Sequence, residues 1–151
     1  MKKITSFTVD HTKLEPGIYI SRIDGDVTTY DLRMRKPNTG DLISNSAMHS
    51  FEHMFATLAR NSRLADKVIY FGPMGCQTGF YFLIRSHNHD ENVELIKEIL
   101  KGIIEYDGEM PGNSAVECGN FKNLSLDAAK NEAERYLAVV ADWTDKDLEY
   151  K

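Results

Sequence analysis

The 151-residue chain is 42% hydrophobic and 27% charged, a balance typical of a folded globular chain, and it is long enough for one ordinary core without staples. Its net charge of −5, with no basic stripe to neutralise phosphates, excludes nucleic acid as the main partner. No apolar run approaches membrane-spanning length, and Ile4–Asp10 is too short and polar for a signal-peptide core, so a cytoplasmic protein with no membrane partner is expected.

In chain order, Ile4 to Val9 alternates apolar and polar residues and predicts a first strand ending at Asp10-His11. Pro16-Gly17 turns into a strand through Ile18–Ile23. Asp24-Gly25-Asp26 then signals a hairpin, with Val27 to Met34 returning. The end of that strand, Asp31-Leu32-Arg33-Met34-Arg35, puts its charged residues on one face. Lys36-Pro37-Asn38-Thr39-Gly40 breaks the pattern ahead of a helix capped near Ser44 or Ser46 and ending by Ser62. Lys67–Phe71 predicts a fourth strand. Phe80–Ile84, apolar on both faces, predicts a central fifth, with a glycine-bracketed loop around Cys76 between them. Val93, Ile96, Ile99, Leu100 and Ile103 mark a helix within Asn88–Tyr106. A glycine- and proline-bearing loop follows to Asn123, and a last helix runs from Ser125 to about Trp143. The fold expected is α+β, a mostly antiparallel sheet with packed helices, as a single domain over residues 1–151.

The chemistry centres on Ser46–Ala56. His49 and His53 stand four apart on one helical face, Met48, Phe51, Phe55 and Leu58 form an apolar stripe, and Glu52 falls between the two sets. Two imidazoles with an adjacent carboxylate make two-thirds of a metal site with a base attached, and H-x-x-E-H is the reverse of the zincin motif. The plain alternative is a pair of surface or satisfied core histidines. A catalytic site needs a third protein ligand, for which Cys76, Cys118, His87, His89 and His11 are candidates that spacing alone does not separate. His87 and His89 flank Asn88 at a helix start, where exposed neighbours of a cap are the simpler reading.

Cys76 and Cys118 each adjoin a glycine, and a pair this small in a reducing compartment points to ligand, proton carrier or core residue rather than a disulfide. Cys76 lies in a turn between two strands, where a neighbouring cation would favour its thiolate; the alternative is a small buried hydrophobe. Arg60, seven residues past His53 on the same stripe, and Arg33, sharing a strand face with Asp31, could each fork onto an oxygen-rich substrate or simply hold a loose ion pair.

Taken together, the histidine helix, Pro73-Met74-Gly75-Cys76-Gln77-Thr78-Gly79, Glu117-Cys118-Gly119, Ser6–His11 and Asp31-Leu32-Arg33 with Pro37-Asn38 resemble S-ribosylhomocysteine lyase, the LuxS family, over nearly the full length. The resemblance implies that His49, His53 and Cys118 ligate one divalent metal per subunit, ferrous iron with zinc or cobalt able to substitute. It implies Glu52 and Cys76 as acid/base groups. Ser6, His11 and Arg33 would orient the ribosyl portion of the substrate, and Arg60 joins the substrate-binding set. It also implies a homodimer with active sites at the interface. The activity would be cleavage of S-ribosylhomocysteine to homocysteine and 4,5-dihydroxy-2,3-pentanedione, the autoinducer-2 precursor, joining the activated methyl cycle to quorum sensing. Two rivals from other classes are an H-x-x-E-H metallopeptidase, in which Cys76 has no role, and a non-catalytic protein whose two histidines and two cysteines close a structural metal site.

Overall fold

A computed structural model describes residues 1–151. Four strands, β1 (Gly17–Asp24), β2 (Val27–Arg33), β3 (Val68–Pro73) and β4 (Gly79–Ile84), form one sheet in the order β1-β2-β4-β3, every neighbouring pair antiparallel. Three helices, α1 (Asn45–Arg60), α2 (His89–Glu105) and α3 (Leu126–Val140), complete an α+β architecture. The β1–β2 connection is the expected hairpin, with Gly25 in the left-handed region at φ +59°. β4 is interior to the sheet, as its two apolar faces predict.

The helix carrying both histidines begins at Ser44, whose hydroxyl accepts a hydrogen bond from Ala47 N at 3.2 Å. Its apolar stripe is fully used. Phe51, Met54 and Phe55 are completely buried, and the Phe55 ring stacks on Phe71 of β3 at 4.1 Å while Phe51 meets Phe80 of β4 at 5.0 Å. Burying each such side chain stabilises the fold by about 1.5–3 kcal/mol, so α1 is pinned to the sheet by its aromatic face. α1 also packs on α2 and α3, which leaves only the flank with the histidines open.

Three expectations are corrected. Ile4–Val9 is not a strand: Thr5–Phe7 forms one 3₁₀ turn, with Phe7 N bonded to Ile4 O at 3.0 Å and Thr8 N to Thr5 O at 3.0 Å. Ile4 and Phe7 stay 58% and 70% exposed, so no sheet neighbour rewards the extended form and the Thr8 hydroxyl bonds back to Thr5 O instead. The last helix stops at Val140 because Trp143 leaves the helical path and donates its indole N–H to Ile18 O at 3.0 Å. The charged set also divides. Asp31 and Arg33 pair with each other, whereas Arg35, past the end of β2, reaches Glu132 on α3 at 2.6 Å.

Candidate active site

His49, His53 and Cys118 are half-buried and offer ligand atoms that all lie within 4.8 Å of one another, a group that could hold a metal ion. The two imidazoles stand edge to face with centroids 4.6 Å apart, as their four-residue spacing on α1 requires. Cys118 arrives from 69 residues away, and its Sγ lies 3.3 Å from His49 Nε2.

The loop that brings it is hung on α1 by serines. Ser46 donates to Asn123 O at 2.6 Å, and Ser50 Oγ accepts from Ser125 N at 2.8 Å. Within the loop, Cys118 N bonds Ser114 O at 3.0 Å.

Each imidazole is also turned from behind. His49 Nδ1 donates to Asn123 Oδ1, and His53 Nδ1 donates to Pro111 O at 2.8 Å. In a neutral ring this leaves Nε2 as the bare nitrogen, the outer-shell pattern that metal-ligating histidines show. Gly112 makes the second contact feasible. Its φ is +70°, and a Cβ there would sit 2.9 Å from the His53 ring. Two imidazoles and a thiolate are a donor set suited to zinc, cobalt or ferrous iron rather than to magnesium or calcium.

Glu52 lies on the same helix and lines two openings. One, about 580 Å³, is shared with His49, Asn45, Asn120 and Asn123; the other, about 300 Å³, with His53, Thr57, Arg60 and Tyr70. Arg60 is exposed at the rim of the second, its guanidinium donating to Ile69 O at 2.8 Å.

Cys76 stands apart from the three-residue group. Its turn is held by Gln77 N to Met74 O at 3.1 Å and Met74 N to Gly79 O at 2.9 Å, with Gln77 in the left-handed region at φ +62°. Backbone held there costs about 1–3 kcal/mol and marks an over-determined loop. The thiol is exposed, with Thr78 Oγ1 at 3.0 Å and Arg33 Nη1 at 4.0 Å. Arg33, buried to 3% exposure, forks onto Asp31 through Nε at 3.1 Å and Nη2 at 2.6 Å. Burial works against its charge, but the groups facing it, Asp31 first, together outweigh that and hold the guanidinium above its ordinary value.

His11 and Cys76 line one cavity, distinct from the two that Glu52 lines, and His11 Nδ1 donates to Val9 O at 2.9 Å. Ser6 lines a further cavity, with Ser21, Thr29 and Tyr81 on its wall. Among the other ligand candidates, Asn88 caps α2, His87 is exposed, and His89 is half-buried against the Tyr30 hydroxyl at 2.6 Å. Sequence reasoning misses the contacts of Thr78, Asn123 and Pro111. Thr78 sits two residues from Cys76, a spacing that could have flagged it, whereas nothing in the sequence ties Asn123 or Pro111 to a histidine.

Fold and site define an α+β protein with a three-residue group able to hold a metal ion beside a carboxylate on the same helix. A sequence profile described as S-Ribosylhomocysteinase (LuxS) matches residues 4–147. The S-ribosylhomocysteine lyase of Borreliella afzelii (strain PKo) is 46% identical over 156 residues, covering 99% of each chain. That of Desulfotalea psychrophila is 46% identical over 157 residues, and that of Clostridium acetobutylicum 40% identical over 156, both again covering 99% of each chain. The chain belongs to the LuxS family, and membership assigns it to the carbon–sulfur lyases. No helix is long and apolar enough to cross a membrane.

Proposed function

We propose that the protein cleaves the thioether of S-ribosylhomocysteine, giving homocysteine and 4,5-dihydroxy-2,3-pentanedione, the precursor of autoinducer-2. The observation that carries this reading is the pair of turned imidazoles beside Glu52. Their Nδ1 atoms bond to Asn123 and Pro111, and Nε2 of His49 faces the Cys118 sulfur. His49, His53 and Cys118 would hold one divalent metal per subunit, with ferrous iron expected and zinc or cobalt able to substitute. When bound, that metal supplies Lewis acidity that stabilises negative charge on a sugar oxygen.

The carbon bearing sulfur is unactivated, so direct displacement is unfavourable and protons must move first. The open-chain sugar carries its carbonyl at C1. Taking a proton from C2 and returning one to C1 moves the carbonyl to C2, and a second exchange moves it to C3. The proton on C4 is then acidic, and its removal expels homocysteine thiolate from C5. The enol left behind takes a proton at C5 and gives up its hydroxyl proton, becoming the dione. Glu52 and Cys76 would carry these protons from opposite sides of the carbon chain. Arg33 sits where it would offset the charge on the Cys76 sulfur, and with Ser6 and His11 it would orient the ribosyl hydroxyls. Arg60, at the rim beside Glu52, has the fork geometry for a substrate carboxylate.

In one chain Cys76 and Glu52 open into different cavities. That division supports a homodimer whose active sites lie at the interface, one copy presenting Cys76 to the Glu52 of the other. A cytoplasmic location, where a thiol stays reduced, suits this chemistry. The same product would link the activated methyl cycle to quorum sensing. Two rival readings lose support. The metallopeptidase reading does not fit the family, and a closed two-histidine, two-cysteine site needs Cys76, which instead contacts Thr78.

Incubating the metal-loaded protein with S-ribosylhomocysteine and titrating free thiol tests the proposal. Homocysteine thiol and dione should appear in equal amounts. Thiol that stays at the level of a protein-free control would overturn it.

A further inference from the structure

Tyr150 lies beyond residues 4–147, which the family profile matches, yet its side chain reaches Asp31 on the interior strand β2. Its hydroxyl donates to Asp31 Oδ2 at 2.7 Å, and its ring stacks on Tyr19 with centroids 5.0 Å apart and planes 18° off parallel. Asp31 has its second role at the same oxygen, since Oδ2 also accepts from Arg33 Nη2 at 2.6 Å while Oδ1 accepts from Nε at 3.1 Å. The third nitrogen of that guanidinium, Nη1, donates to Thr78 Oγ1 at 2.9 Å.

Thr78 then has its hydroxyl proton free to point elsewhere, and Cys76 Sγ lies 3.0 Å away. Arg33 thus donates to Thr78, the Thr78 hydroxyl is in hydrogen-bond contact with the sulfur, and Tyr150 shares the Asp31 oxygen that fixes Arg33 Nη2.

We propose that Tyr150 is a positioning residue for Cys76, acting through Asp31, Arg33 and Thr78. The role rests on the reading of Cys76 as a proton carrier. Tyr150 itself touches no reacting atom. Burial, and then the Asp31 charge, push its hydroxyl far above the ordinary tyrosine value, so it stays a donor. The groups that face Cys76 are Arg33 from β2, Thr78 from its own loop and His11 across their shared cavity. Tyr81 of β4 pairs with Asp31 in the strand register.

The test is alkylation of Cys76 by iodoacetamide in the full-length, metal-loaded protein, followed across pH and read by mass at Cys76 separately from Cys118. In Tyr150→Phe the midpoint of the rate profile should move upward, and the rate near neutral pH should fall about threefold. Thr78→Val, which removes the hydroxyl between Arg33 and the sulfur, should shift the profile the same way, and the double variant should move it by less than the sum of the two. A Tyr150→Phe protein with a lowered Tm but an unchanged Cys76 profile overturns the proposal, as do additive effects in the double variant. Alkylation needs no sugar substrate. A shifted profile in a protein that releases no thiol from S-ribosylhomocysteine would therefore keep the positioning role and refute the lyase reading.

Discussion

Asn123 accepts the Nδ1 proton of His49 while Nε2 of the same ring faces Cys118 Sγ at 3.3 Å. One amide, from the short helical turn Phe121–Asn123, thus sets which nitrogen a metal would meet. Asn123 is itself braced by Asn45, whose side-chain oxygen accepts from Asn123 Nδ2 at 2.7 Å.

Asn123→Ala should therefore keep the fold and lower metal affinity by about 10–100-fold, the usual loss when such an outer contact is removed. Competition with a chromogenic chelator measures this, and wild-type affinity would contradict it. Gly112→Ala should act in the same direction through His53, because its Cβ would press on that ring from a left-handed backbone.

Glu52→Gln preserves size and helix propensity but cannot take up a proton. Metal content and Tm should match wild type while thiol release falls by about 10²–10⁴-fold. Wild-type product formation would remove Glu52 from the proton path.

His89 gives a pH prediction. Burial, and then His87, lower its value below the ordinary 6.5, and the Tyr30 hydroxyl, which accepts from Asn92 at 2.9 Å, donates to its Nδ1. Protonation would remove that acceptor, so the unfolded chain binds the proton more readily than the fold. This contribution is complete above the unfolded value and is lost as pH falls through the folded one. The Tm advantage of wild type over His89→Gln should accordingly be full above the ordinary value of 6.5 and shrink as pH falls below it. A constant difference would show that His89 is not responsible.

The helix with both histidines is legible because its aromatic residues recur at three and four, and burial against Phe71 and Phe80 confirms that stripe. The three-residue group is only half legible. His49 and His53 are fixed by helix period, but Cys118 depends on a loop whose serine and asparagine contacts have no local pattern. At Ile4–Val9 alternation misleads, because two-residue periodicity predicts a strand only where a neighbouring strand completes the ladder. There the chain closes on itself through Thr5 and Thr8. The pairing of Asp31 with Arg33 follows from strand alternation, whereas its extension to Tyr150, 119 residues on, does not.

The two cysteines offer the most direct test of the account, since it gives one sulfur to the metal and the other to proton transfer. The metal-to-protein ratio should be measured for Cys118→Ala and Cys76→Ala purified beside wild type. Metal should be lost from Cys118→Ala and fully retained in an inactive Cys76→Ala. Full occupancy in Cys118→Ala, or loss from Cys76→Ala, would contradict it.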